Sequence, residues 1–224
     1  MASSLDASQG ALRAIDVSQA LNSIKRTIKL SCLDASLHYL VIGAQTGSIY
    51  FFERSTLKFV QLVSFDDMID PITWLSFSPD ERLLAFATGS TSKKIYITPI
   101  PVKSRRKKDL ICISDHKAEV RCLEWAQMPS GGSLQLALFS ADDSGIVCKT
   151  LASLASFPSG SSSGSLNTPS STTELLYQAD SRVTQLSYEK ETNQLIVSST
   201  TCTALLDFSK AQAVKIGTKP RQGN

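Results

Sequence analysis

The stretch SCLDASLHYLVIGAQTGSIYFFE, residues 31–53, decides the fold. A short half-polar run carries Leu33, a turn follows, and YLVIGA (39–44) makes a continuous apolar run; the polar turn Gln45-Thr46-Gly47 then leads into SIYFFE (48–53). Short β-branched and aromatic runs broken by turn residues read as strands. The same order returns three times: as TWLSFSPD (73–80), LLAFAT (83–88) and KIYITP (94–99); as RCLEWAQ (121–127), LQLALFS (134–140), the turn ADDSG (141–145) and IVCKT (146–150); and as TQLSYEK (184–190), QLIVSS (194–199) and TALLDF (203–208). Leu33, Leu75, Leu123 and Leu186 hold matching places in the four copies.

A short meander repeated at near-constant spacing predicts an all-β propeller, and so a binding scaffold before an enzyme. The leucines lie 42, 48 and 63 residues apart. Only the first interval fits the roughly 40 to 45 residues of a WD-type blade, so the later two contain insertions. One is 101–109, with the basic run Lys103-Ser104-Arg105-Arg106-Lys107-Lys108 before a last strand at 110–114. The other is 153–173, rich in Ser, Gly, Thr and Pro, before a last strand at 174–179. Both fall near the end of their repeat, where a loop lengthens at small entropic cost. The expected organisation is a partly helical leader at 1–26, then a partial propeller at 27–224 with blades near 28–70, 71–115, 116–180 and 181–217. Leu5, Leu12, Ile15 and Leu21 give the leader a partly helical spacing, and these positions could dock on the propeller or on a partner. The tail at 219–224 reads as a polar turn with no closing strand. About four divergent blades in an incomplete ring are therefore expected, with an open sheet edge, as in a piece of a longer protein.

Composition narrows the function. With 42% hydrophobic and 19% charged residues over 224 positions, the chain can bury a core. No apolar run is long enough to span a bilayer, and the N-terminus carries no basic stretch leading into an apolar one. Cys32, Cys112, Cys122, Cys148 and Cys202 are scattered singly and odd in number, as expected of reduced buried thiols in a cytoplasmic protein. The net charge is +3, and Lys103, Arg105, Arg106, Lys107 and Lys108 supply five positive charges by themselves, so the remainder is slightly acidic. Without a broad basic face interleaved with aromatics, no nucleic-acid partner is expected. The basic run is the best surface hook: it suits anionic lipid headgroups, acidic proteins or an import receptor, or it is a solvated loop. Thr168-Pro169 in the Ser-rich insertion offers a kinase site.

Catalytic patterns are weak. Gly160-Ser161-Ser162-Ser163-Gly164 satisfies the nucleophile-elbow spacing but lies in a low-complexity loop, with no strand before it and no helix after it. The two histidines, His38 and His116, both stand near blade turns. There is no phosphate-binding glycine loop, no paired His and no CxxC pair, so no cofactor, metal or small-molecule substrate is expected.

Asp115-His116 stands where WD repeats often carry Gly-His. That resemblance implies a buried structural network of His116 with Trp125 and a turn carboxylate from Asp142 or Asp143. No repeat ends in Trp-Asp, so these are divergent copies; Phe77-Ser78-Pro79-Asp80 is a good blade turn. Further pieces carry a closer likeness: Val41-Ile42-Gly43-Ala44 with Gly47-Ser48-Ile49-Tyr50, His116 with Cys122-Leu123-Glu124-Trp125, and the end VKIGTKPR (214–221). On these the chain resembles the N-terminal propeller of the Hermansky-Pudlak syndrome 5 protein and its relative, tectonin beta-propeller repeat-containing protein 2. The resemblance implies a non-enzymatic adaptor in vesicle traffic to lysosomes, lysosome-related organelles or autophagosomes. It implies protein subunits of a trafficking complex as partners, and peripheral association with endolysosomal or autophagic membranes. No residue roles come with it. The other readings are a propeller substrate receptor in the nucleus or the ubiquitin pathway, with the basic run as import signal, and a fragment without function.

Overall fold

The computed structural model describes residues 28–66, 68–89, 91–103, 105–106, 109–130, 133–152, 157, 172–209 and 214–220. Four sheets of four antiparallel strands follow one another along the chain. The first contains β1 (Leu30–Ala35), β2 (Tyr39–Ala44), β3 (Ser48–Glu53) and β4 (Phe59–Ser64); the second β5 (Ile72–Phe77), β6 (Leu83–Thr88), β7 (Ile95–Pro99) and β8 (Ile111–Ile113). The third contains β9 (Val120–Ser130), β10 (Ser133–Asp142), β11 (Ile146–Ala152) and β12 (Thr172–Gln178); the fourth β13 (Val183–Glu189), β14 (Gln194–Ser199), β15 (Cys202–Asp207) and β16 (Val214–Pro220). Every sheet is a simple meander. This is the all-β propeller arrangement that the repeats predict, as an arc of four blades. Among the described residues no helix is long and apolar enough to cross a membrane.

The continuous apolar character of the second strands has a plain cause. Side chains alternate between the two faces of a sheet, and the middle strands of the second blade are covered on both faces by a neighbouring blade. In β6 all six residues are buried. Leu84 and Phe86 of β6 join Val41, Phe51 and Val63 of the first blade in one core, while Leu83, Ala85 and Ala87 join Leu123, Trp125 and Leu138 of the third blade in the next. A third core unites Phe139 and Val147 with Leu186, Leu195, Val197 and Leu206. The protein thus has a row of inter-blade cores in place of one centre.

The repeat leucine is the plug in each junction. Leu75, Leu123 and Leu186 each enter the core shared with the preceding blade and are 3%, 5% and 6% exposed, whereas Leu33, with no described blade before it, is 68% exposed. Gly47 and Gly145 (φ +78 and +87) close the turns between second and third strands. A Cβ at either would meet a carbonyl at 2.5 Å, that of Met68 or Ala179, because the link to the next blade crosses the turn there.

Two readings of the sequence change. The end of the chain does not read as a strand, yet β16 continues to Pro220 and pairs with β15 as the outer strand of the fourth blade. Its Lys215, Gly217, Thr218 and Lys219 are exposed, and an outer strand with little apolar content looks like a loop in sequence. The cysteines are not uniformly buried: Cys122, Cys148 and Cys202 are, Cys32 is intermediate and Cys112 is exposed. The leader at 1–26, the site Thr168-Pro169 and Gly160 to Gly164 lie outside the described residues.

Truncation separates the leucines by position. Leu75→Ala, Leu123→Ala and Leu186→Ala should each cost about 2 to 5 kcal/mol through lost burial and a cavity, and Leu33→Ala less than about 1 kcal/mol. Urea midpoints of the four variants at constant slope measure the difference.

Candidate functional site

The polar interior of the third blade is built on the tight turn between β10 and β11. The Asp142 carboxylate at the end of β10 accepts hydrogen bonds from the Ser144 amide at 2.9 Å, the Ser144 hydroxyl at 2.7 Å and the Ile146 amide at 3.0 Å, which closes the turn. Its other oxygen accepts from the amides of Lys117 and Ala118 at 3.2 and 3.3 Å and faces Nδ1 of His116 at 3.2 Å. A carboxylate can only accept, so Nδ1 carries the proton. In the neutral ring Nε2 is then an acceptor, and it meets the Ser140 hydroxyl at 2.8 Å. Burial alone would raise the Asp142 carboxyl, but the bonds from His116, Ser144, Ile146 and Ala118 outweigh it and hold the group well below the usual carboxylate range.

Ser140, His116 and Asp142 stand in the order of a Ser-His-Asp triad, so the geometry has to be weighed as chemistry. The Ser140 and Asp142 residues are 0% exposed and His116 is 6%. A nucleophile sealed from solvent cannot meet a substrate, and Ser140 lies inside a ladder strand paired to both β9 and β11. The arrangement ties the link into the blade, through Lys117 and Ala118, to the β10–β11 turn at the same end of the sheet.

The other members of the predicted network lie elsewhere. Trp125 stands on β9, 6% exposed, and donates Nε1–H to the Ser76 carbonyl at 3.0 Å, so it spans the junction to the second blade and takes no part in the His116 cluster. Asp143 turns outward: it pairs with Arg121 at 3.0 Å and stands 3.8 Å from Arg182, at the border of the third and fourth blades. Ser140 was absent from the expected set because a lone serine inside an apolar strand carries no sequence signal. His38 pairs with Glu81 at 2.6 Å across the first two blades.

A second device, also not anticipated, recurs along the inner edges. Asp34 of β1 accepts the Phe77 amide of β5 at 2.9 Å, and Glu124 of β9 accepts the Tyr188 amide of β13 at 3.2 Å. Both acids directly follow the repeat leucine, and both bond the residue two places after the next repeat leucine. The clue in the sequence is that alternation: Asp34 and Glu124 in the first and third copies, Ser76 and Ser187 in the second and fourth. Burial raises both carboxyls, an effect only partly offset by the amide bonds. Their linkage is therefore opposite to that of Asp142, and they favour the native state less as pH rises above the ordinary carboxylate range.

The basic insertion is held against the first blade. Val102 and Leu110, at its two ends, are buried in the first inter-blade core. The Gln61 side chain of β4 donates to the Val102 carbonyl at 3.1 Å, and the Asp66 amide donates to the Arg105 carbonyl at 3.0 Å. Arg106 pairs with Asp109 at 2.9 Å. Lys103, Arg105 and Arg106 are exposed. Lys107 and Lys108 lie outside the described residues. Next to this loop β4 exposes Phe59 (50%), Val60 (51%) and Leu62 (38%), which makes a rim both basic and apolar. Among the described residues no group of three or more His, Cys, Asp and Glu could hold a metal ion.

No protein-family model matches the chain. Curated relatives do: it is 31% identical over 100 residues to the BLOC-2 complex member HPS5 homolog of Drosophila melanogaster, covering 45% of this chain and 12% of that protein. It is 26% identical over 197 residues to the homolog of Anopheles gambiae, covering 88% and 21%, and 26% identical over 87 residues to that of Aedes aegypti, covering 34% and 10%. The chain thus spans a small part of the length of these relatives. Among solved structures, a chain of the crystal structure of the mitotic checkpoint complex matches with a TM-score of 0.59 at 16% identity, over 84% of this chain and 53% of that one. The computationally designed protein Ika8 matches with a TM-score of 0.57 at 17% identity, over 85% and 48%. These likenesses are to WD-type propellers, of which the arc covers about half.

Asp142→Asn removes the anionic acceptor at almost constant shape and should destabilise by about 2 to 4 kcal/mol at neutral pH. The native carboxyl is depressed, so its contribution is present above the unfolded value and lost as pH falls through the native one. The gap between wild type and D142N should therefore narrow below about pH 4. Trp125→Phe should cost about 1 kcal/mol with no such narrowing. Urea unfolding across pH measures both, and a gap constant with pH would disprove the role given to Asp142. The resemblance read from the repeats holds on the HPS5 side: the curated proteins to which the chain is similar are HPS5 homologues, at modest identity and over a small part of their length.

Proposed function

We propose that this chain acts as a non-enzymatic scaffold: the first four blades of an HPS5-type propeller that serves as a BLOC-2 subunit in the biogenesis of lysosome-related organelles. The observation that carries the reading is that all three relatives are named as BLOC-2 complex members, one of them matching 88% of the chain. The architecture supports it. A row of inter-blade cores leaves its surfaces to stoichiometric protein binding, and the triad-like cluster is sealed. The same activity extends to traffic towards lysosomes and autophagosomes, with the chain cytoplasmic and peripherally attached to their membranes, chiefly through partner subunits. The rim of Phe59, Val60 and Leu62 beside Lys103, Arg105 and Arg106 supports a weak additional contact with anionic membrane surfaces.

Two readouts on one tagged chain test this. Affinity purification should recover other subunits of a BLOC-2 complex in stoichiometric amount, and their absence would count against the scaffold role. Changing KSRRKK (103–108) to KSAAAA should leave the distribution of the chain nearly unchanged and reduce binding to vesicles containing phosphatidylserine. Loss of nuclear accumulation in that variant would favour the nuclear receptor reading instead.

A further inference from the structure

The link between β1 and β2 carries a residue that its place in the repeat does not call for. The same link reads Ser78-Pro79-Asp80-Glu81-Arg82 in the second blade and Lys190-Glu191-Thr192-Asn193 in the fourth, polar or turn-forming throughout, but Ser36-Leu37-His38 in the first. Leu37 is 75% exposed. The turn nevertheless holds it in one place. The Ser36 hydroxyl accepts from the amides of His38 and Tyr39 at 3.3 and 3.1 Å, the Arg54 guanidinium donates to the Ser36 carbonyl at 2.5 Å, and the Arg54 amide donates to the His38 carbonyl at 2.8 Å. From the second blade, Glu81 accepts the Leu37 amide and pairs with His38. A side chain presented on a backbone tied in this way loses little freedom when a partner covers it.

Beside Leu37 the junction of the first two blades opens into a pocket of about 470 Å³. Its apolar wall is Tyr39, Pro79, Ile100 and Pro101. Tyr39 and Ile100 pack against the first inter-blade core, and the Ile100 amide donates to the Arg82 carbonyl at 2.9 Å, so this wall is fixed from behind. The polar wall is acidic, with Asp80 and Glu81. Glu81 is engaged in holding the Leu37 turn. Asp80 gives one oxygen to the Ser78 hydroxyl and the Arg82 amide, and among the described residues no bond takes the other. On its far side Leu37 borders a second hollow with the exposed Phe59 and Val60, so the apolar surface is continuous across the ridge. An apolar hollow with a free carboxylate at its edge fits an apolar side chain next to a Lys or Arg, whereas an anionic lipid surface would be repelled by Asp80 and Glu81. We propose that the Leu37 ridge and this pocket dock an extended segment of a partner subunit, which places an apolar side chain beside Tyr39 and Ile100 and a basic one at Asp80. The inference rests on the scaffold reading above and adds the surface through which it operates.

Photo-crosslinking in the tagged full chain tests the site. Benzoylphenylalanine replaces Leu37 in one variant and, in another, Leu175, which is 63% exposed on the outer strand of the third blade. Position 37 should give an adduct with a co-purified BLOC-2 subunit, at a segment that pairs apolar residues with Lys or Arg, and position 175 should give none. Leu37→Asp should lower recovery of that subunit at least about tenfold, and the milder Leu37→Ser should lower it too, with the urea midpoint of the chain unchanged. Asp80→Asn keeps an acceptor for the turn but removes the charge, so it should weaken recovery and make it less sensitive to salt. Recovery undiminished in both Leu37 variants, or an adduct at position 175 alone, would overturn the site and leave the scaffold reading standing. Wild-type recovery and salt dependence in Asp80→Asn would overturn the basic partner. Leu37 variants that keep the subunit but lose binding to phosphatidylserine vesicles would reassign the face to lipid, and an adduct between two copies of the chain would replace the partner with self-association. Failure of the wild type to recover any subunit would overturn the scaffold reading and this site with it.

Discussion

The structure depends on one contact made three times: the repeat leucine of a blade entering the apolar face of the blade before it. A four-stranded sheet with both faces apolar cannot bury them alone, and burying one leucine is worth about 1.5 to 3 kcal/mol. The junction must therefore supply what the single blade lacks. That is why Leu75, Leu123 and Leu186 are nearly inaccessible while Leu33, the same residue in the same repeat position, is mostly exposed. Stability is distributed along the arc, junction by junction.

Apolar packing is not directional, so it fixes the distance between blades better than their register. The polar contacts at the inner edges complete the specification. Asp34 reaches Phe77, Glu124 reaches Tyr188 and the indole of Trp125 reaches Ser76, so that each junction has such a contact. All of them engage backbone groups at strand positions fixed relative to the repeat leucine. A slip by one residue would leave a partly buried carboxylate or indole unpaired, a cost comparable to the gain from a whole leucine. The His116 cluster does the same within a blade, where one carboxylate gathers donors from the entry segment, the turn and the imidazole.

Much of this was legible in the sequence because the pattern repeats. The second strands YLVIGA and LLAFAT announce burial on both faces. What was not legible concerns side chains that cross between blades. Trp125 looks like a network tryptophan by its resemblance to WD repeats, but β9 is a first strand, and its indole faces the adjacent blade. Ser140 carries no mark beyond being a serine in an apolar run. VKIGTKP, the last strand, meets solvent along much of its length and so lacks the apolar alternation by which strands are recognised. The basic loop reads as a free protrusion because charge is all the sequence displays, whereas Val102 and Leu110 sink its two ends into the first inter-blade core.

An arc of blades made in this way spends its flat faces on its own assembly, which leaves the rims exposed. The rim at β4 joins apolar and basic character because the inserted loop is pinned beside an outer strand, and neither feature alone would discriminate among partners. The two ends differ for a related reason. The face of the first blade is rich in large side chains, Leu40, Tyr50 and Phe52, and a face of that kind must be covered wherever it occurs. The corresponding side of the fourth blade alternates Ile196 with Ser198 and places Thr203 and Gly217 nearby, a mixed surface that water tolerates.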